Sequence, residues 1–130
     1  FDSWRETLDF MCGSMERNGI VPDAFRESVF LREEYPSTVF FRTFAVPHAM
    51  NFLAYETKIA VLIPSTPINW ETSDVSLVLL LAINEGDYDD FVRFYQPLIS
   101  VLYDRELFTE LRSMSSYHEF MKFLDKQISM

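Results

Sequence analysis

The first apolar positions recur at helical spacing. Trp4, Leu8, Met11, Cys12 and Met15 fall on one face. Ser3 and Glu6 form a capping box ahead of them, and Asn18-Gly19 marks the stop. Pro22 suits a first helical turn, so a second helix is expected to run to about Glu34, ended by Tyr35-Pro36 because the residue before a proline avoids helical geometry. The pattern then turns extended. Thr38 to Val46 is β-branched and aromatic, Thr57 to Ile63 reads as a second strand, and Pro64 and Pro67 punctuate the stretch after it. Val75 to Ile83 is apolar at both alternations, which predicts a central strand covered on both faces. After a loop over 84–87 the period becomes helical again. Phe91, Phe94, Tyr95, Leu98 and Leu102 share a stripe, with a kink or helix boundary expected at Pro97. Asp104 can cap a short helix containing Leu107 and Leu111. Ser116 and Glu119 open a last helix with Phe120, Phe123, Leu124 and Ile128 inward. Helices, then strands, then helices predict an α/β fold: a mixed central sheet flanked by helices on both faces.

The 130 residues suit one compact domain, and 48% apolar content is enough for a core. No run approaches the ~18 apolar residues of a membrane span. The lone Cys12 has no disulfide partner and sits on the apolar face of the first helix, so it reads as a core thiol in a reducing, cytoplasmic compartment. A net charge of −9 argues against direct grip on nucleic acid, whose affinity rests on Lys and Arg, and would suit a basic protein partner. The start at Phe1 suggests a fragment of a longer chain.

Chemistry enters at Arg42–Met50, "RTFAVPHAM". The chain has two histidines, and one of them follows Pro47 directly. Proline fixes its own φ and restricts Val46, so the backbone leading to His48 is stiff. A neutral imidazole is a good nucleophile near pH 7 and can accept a phosphoryl group, which needs positioning and positive or N–H character nearby. Arg32 and Arg42 lie close in sequence and either could face a phosphate; Glu33 could orient a ring or pair with an arginine. The plainer readings are a turn histidine at 48 and a solvated helix end at Arg32-Glu33-Glu34. His118, in the first turn of the last helix beside acidic residues, reads as surface. Two distant histidines and one cysteine give no metal-ligand spacing, and there is no glycine-rich phosphate loop, so no cofactor is implied.

From Leu31 to Met50, "LREEYPSTVFFRTFAVPHAM", the chain resembles the enzyme IIA domains of the fructose–mannitol class of the bacterial sugar phosphotransferase system. Arg32-Glu33, Thr38 and Ala45-Val46-Pro47-His48 match the family's order and spacing, and the likeness extends over nearly all of the chain. It implies an enzyme IIA sandwich in which His48 receives a phosphoryl group from the histidine phosphocarrier protein, with Arg32 near the phosphate; Thr38 and, in reserve, Arg42 stay candidates to neighbour the phosphate and Glu33 to orient the ring. Two positions depart from the pattern. Phe40, Phe41, Arg42 and Phe44 stand where small residues are usual, and Phe91 stands where a second histidine is expected. One or more of Phe40, Phe41, Phe44 and Phe91 is expected to lend apolar surface to the approach to His48. Ile68-Asn69-Trp70, the acidic loop and the Phe91-Tyr95-Leu98-Leu102-Asp104 spacing are most similar to the C-terminal IIA-like domain of transcription activators and antiterminators that carry phosphotransferase regulation domains. The implied role is a phospho-acceptor in a regulator, rather than a turnover enzyme. The implied partners are the phosphocarrier and other domains of the same regulator or its sister subunit. The competing roles are a transport component serving an enzyme IIB protein and an interaction module that is never phosphorylated.

Overall fold

The computed structural model describes residues 1–34, 38–40, 43–71 and 73–128, Phe40 in its backbone alone. The predicted end of the second helix at Tyr35-Pro36, and the predicted positions of Phe41 and Arg42, lie outside the described residues. The chain forms two compact units, Phe1–Tyr88 and Asp89–Met130. No described helix is long and apolar enough to cross a membrane.

The first unit begins with α1 (Trp4–Arg17). Its cap is the one the sequence predicts, with the Glu6 N–H donating to Ser3 Oγ at 3.3 Å. It ends because Gly19 takes φ 70°, the left-handed region that favours glycine, which brings the Ile20 N–H to the Met15 carbonyl at 3.0 Å. All five predicted stripe residues are buried. Burial pushes the Cys12 thiol up to about 12, so it behaves as a core group. Helix α2 (Asp23–Glu33) takes Pro22 as the residue before its first turn and buries Phe25, Val29 and Glu33, spaced four apart.

Six strands follow among the described residues: β1 (Val39–Phe40), β2 (Phe44–Ala45), β3 (Leu53–Leu62), β4 (Ile68–Trp70), β5 (Ser73–Val75) and β6 (Leu77–Asn84). The main sheet has the order β1-β2-β6-β3, and β4-β5 form a separate ribbon. The sheet is mixed: β6 runs parallel to β2 and antiparallel to β3. As expected, β6 is central and buried at both alternations. Val78, Leu80 and Ala82 join Leu8, Met11, Phe25 and Val29 in one cluster, which fixes α1 and α2 on that side of the strand. Burying a leucine there contributes roughly 1.5–3 kcal/mol.

Three local expectations change. Thr38–Val46 is not one strand but a tight hairpin, with Val39 opposite Ala45 and Phe40 opposite Phe44. Phe44 is consequently a core residue, 1% exposed, and adds nothing to the surface. The β4–β5 ribbon forms between the proline punctuation and the expected central strand, with Glu71 at φ 61°, and it takes in Val75, so the central strand starts at Leu77.

The second unit holds α3 (Tyr88–Tyr103, from its second residue on), α4 (Arg105–Arg112) and α5 (Tyr117–Ile128). Pro97 lies inside α3, which continues through it, so of the expected kink or boundary no boundary forms. Asp104 caps α4 by accepting the Glu106 and Leu107 N–H groups at 3.0 and 3.1 Å, and Ser116 caps α5. Leu98, Leu102, Leu111, Phe120 and Leu124 are buried, while Phe123 and Ile128 are half-buried.

Candidate functional site

The backbone carrying His48 is the continuation of β2 along β6. Phe44 pairs with Leu77, Ala45 with Val78 and, at the same offset, His48 with Leu81. Between them the Pro47 carbonyl accepts the Leu81 N–H at 2.9 Å. Proline can accept but not donate, so the ladder weakens here and the chain leaves the sheet just past His48. The departing loop is tied to α2, where Ser28 Oγ accepts the Met50 N–H at 2.8 Å.

The half-buried imidazole turns back on its own backbone. Its Nδ1 lies 2.9 Å from the Val46 carbonyl oxygen. A carbonyl can only accept, so this contact puts the ring proton on Nδ1 and leaves the lone pair on Nε2. Burial moves the His48 pKa below its ordinary 6.5, and the Arg32 charge adds to the lowering; the bond to Val46 and the Glu33 carboxylate oppose it. The ring is therefore neutral at pH 7.

Glu33 ends α2 inside the protein, 1% exposed. Its Oε2 accepts the Thr38 N–H at 2.7 Å and the Trp70 indole N–H at 2.9 Å, and its Oε1 accepts the Thr38 hydroxyl at 2.7 Å. The carboxylate thus joins the end of α2 to the segment entering β1 and to β4. The Thr38 hydroxyl, expected beside a phosphate, donates to Glu33, and the residue is 4% exposed in all.

Of the predicted site residues, Arg32 and Glu33 act electrostatically on His48, and Thr38 belongs to the same hydrogen-bonded cluster. Arg42 lies outside the described residues. Phe91 is half-buried in the second unit, its ring 5.5 Å from that of Tyr95. His118 is exposed, as expected. No group of potential metal ligands occurs among the described residues. Sequence reasoning missed the anchoring roles of Trp70 and Ser28. It also missed the apolar surface just past the histidine, where Met50 is 54% exposed and the exposed Phe52 and Tyr88 rings meet edge-on at 5.0 Å.

The depressed His48 pKa has a signed consequence. A group whose folded pKa lies below its unfolded value contributes stability that is complete above the unfolded value and lost as pH falls through the folded one. Unfolding midpoints in urea should therefore fall as the pH drops through the ordinary histidine range, about 6.5, and below it. His48→Gln should flatten that window, and equal slopes in the two proteins would contradict the buried neutral ring.

Comparison with known proteins converges on one family. The family model described as "Phosphoenolpyruvate-dependent sugar phosphotransferase system, EIIA 2" matches residues 1–127. The chain is 28% identical over 126 residues to the "Probable licABCH operon regulator" of Bacillus subtilis (strain 168), covering 97% of this chain and 20% of that protein. It is 23% identical to "Multiphosphoryl transfer protein 1" of Escherichia coli (strain K12), covering 99% of this chain and 16% of the other. The chain thus spans a fifth or less of these relatives. Among solved structures it resembles the complex of enzyme IIA mannitol with phosphorylated enzyme IIB mannitol from Escherichia coli (TM-score 0.78, 17% identity, 97% of this chain and 90% of that one). It also resembles the crystal structure of IIA mannitol from Escherichia coli (TM-score 0.75, 18% identity, 95% and 90%). These two likenesses establish the fold.

Proposed function

Because the chain belongs to the EIIA type-2 family of the phosphoenolpyruvate-dependent sugar phosphotransferase system, we propose that His48 is its phospho-acceptor, loaded by the histidine phosphocarrier protein. The observation that carries this reading is the bond from Nδ1–H to the Val46 carbonyl, which presents Nε2 as the nucleophile. The Nε2 lone pair attacks the phosphorus of the donor's phosphohistidine. A new N–P bond forms, the donor's N–P bond breaks, and its electron pair returns to the donor nitrogen. His48 becomes a phosphoimidazolium whose Nδ1–H still donates to the Val46 carbonyl. Arg32 offsets the charge of the phosphoryl oxygens.

The domain serves as a regulatory acceptor in a cytoplasmic transcription regulator, a reading supported by the likeness to an operon regulator. A phosphoryl group adds about −1.5 to −2 charges. On a chain of net charge −9, that shifts contacts with other domains of the regulator or with a sister subunit. The second reading, onward transfer to an enzyme IIB partner, draws on the likeness to a multiphosphoryl transfer protein. Phe91, at the position where the resemblance expects a second histidine, offers no donor, acceptor or charge, and that weighs toward storage of the phosphate. Incubation with phosphoenolpyruvate, enzyme I and the phosphocarrier, followed by intact-mass measurement, tests the acceptor role. A chain that gains no phosphoryl mass refutes it.

Arg32→Ala should slow phosphoryl incorporation by about 100-fold, the usual scale for losing one donor to developing charge. The half-buried side chain sits at a helix end, so the variant should keep its melting transition. An unchanged rate in the folded variant would remove Arg32 from the reaction.

A further inference from the structure

The hairpin beside His48 contains an exchange of hydrogen bonds. The β1–β2 register, Val39 with Ala45 and Phe40 with Phe44, extends to Thr38 opposite Val46. In an antiparallel ladder such a pair exchanges both of its N–H···O bonds. Half of that exchange is made: the Val46 N–H donates to the Thr38 carbonyl at 3.2 Å. The other half is replaced. The Thr38 N–H donates to Glu33 Oε2, and the Val46 carbonyl that it would have met takes the His48 Nδ1–H.

From this geometry we infer that Glu33 is a positioning residue for His48: by drawing the Thr38 amide away from Val46, it reserves the Val46 carbonyl for the imidazole and so selects the tautomer whose Nε2 is free. Trp70 is its anchor. The indole N–H and the Thr38 hydroxyl hold the two carboxylate oxygens in the orientation that captures the Thr38 amide. Because all of these groups are buried, the carboxylate has little freedom to turn away. Trp70 thereby influences the reacting nitrogen without touching it. The link runs from the indole to Glu33, across the Thr38 amide, and through the Val46 carbonyl to the ring. Glu33 and Arg32 are also the charges that act on the ring, of opposite sign, so charge and geometry must be separated by experiment.

This inference rests on the acceptor role of His48, yet it has a readout that needs no phosphate. In chains with isotope-labelled histidine, the two ring-nitrogen shifts of His48 report the tautomer directly. The native chain should show Nδ1 protonated. Glu33→Gln should keep this pattern, because the Gln carbonyl can accept from both Thr38 N–H and Trp70 while its amide donates to the Thr38 hydroxyl. Glu33→Ala frees the Thr38 amide and should give averaged shifts from both tautomers. Should that variant fail to fold, the triple variant Glu33→Leu, Thr38→Val, Trp70→Phe removes the side-chain donors and their acceptor together and leaves the backbone N–H at 38 free to meet Val46. Such apolar swaps can be close to neutral for stability. It should show the same averaging and accept phosphoryl groups about tenfold more slowly. Native ring shifts in a folded Glu33→Ala or triple variant would overturn the inference, as would loss of the native tautomer in Glu33→Gln. If the native chain takes no phosphate from the phosphocarrier, the acceptor role falls, while the ring shifts still decide whether Glu33 positions His48.

Discussion

His48→Ala is expected to abolish phosphoryl incorporation, whereas His118→Ala should load at the native rate. The chain has two histidines, and their surroundings differ in kind. His118 is exposed in the first turn of α5, between Tyr117 and Glu119, on the solvent side of the helix. His48 has a stiff approach through Pro47, a backbone bond to β6, a proton fixed on Nδ1 and a neutral ring at pH 7. Nucleophilic attack needs an unprotonated nitrogen, and at His48 the bond from Nδ1–H to Val46 leaves Nε2 in that state before any partner arrives. Alanine removes the nucleophile outright, so the effect is a loss of product rather than a slower rate. Persistence of the phosphoryl mass in His48→Ala would place the acceptor elsewhere in the chain.

Glu33→Ala should be among the most destabilising single changes in the protein. It leaves the Thr38 hydroxyl and the Trp70 indole N–H buried and facing a void, while the Thr38 N–H has only the contested Val46 carbonyl to turn to. An abandoned buried donor costs about 1–3 kcal/mol, so two or more of them cost several kcal/mol in all. Domains of this size are stable by about 5–15 kcal/mol, so the loss brings the variant close to unfolding. Glu33→Gln should cost far less, because it can satisfy the same three groups after the Thr38 hydroxyl turns to accept. Urea unfolding of the three proteins checks this. A loss below about 1 kcal/mol in Glu33→Ala would mean that the carboxylate does not hold these elements together.

Much of this was legible in the residue pattern. The buried stripe of α1, the caps at Ser3, Asp104 and Ser116, and the doubly buried β6 all arise from local periodicity, which survives folding because each face meets one environment. Pro47-His48 stood out because proline is a local constraint. Glu33 left a signal too: it continues the spacing of Phe25 and Val29 and so falls on the core-facing side of α2, where an acid needs donors. Which donors it has was not legible. Trp70 lies 37 residues further along the chain, and nothing in a single sequence pairs the two. The hairpin at Thr38–Val46 was hidden because its strands are two residues long and its aromatic, β-branched run contains no glycine or asparagine to announce a turn. The β4–β5 ribbon was hidden for a related reason, since its positive φ falls on Glu71. The α3 stripe carried through Pro97 because packing can outweigh the loss of one helical hydrogen bond.

The central claim is that the phosphoryl group sits on Nε2 of His48, and the most direct measurement is the position of the phosphorus on the ring. The chain, carrying isotope-labelled histidine and loaded through the phosphocarrier, should show one acid-labile phosphoryl group. Its phosphorus should couple to Nε2 of His48, while Nδ1 keeps its proton on the Val46 carbonyl. Coupling to Nδ1, or to either ring nitrogen of His118, would contradict the account.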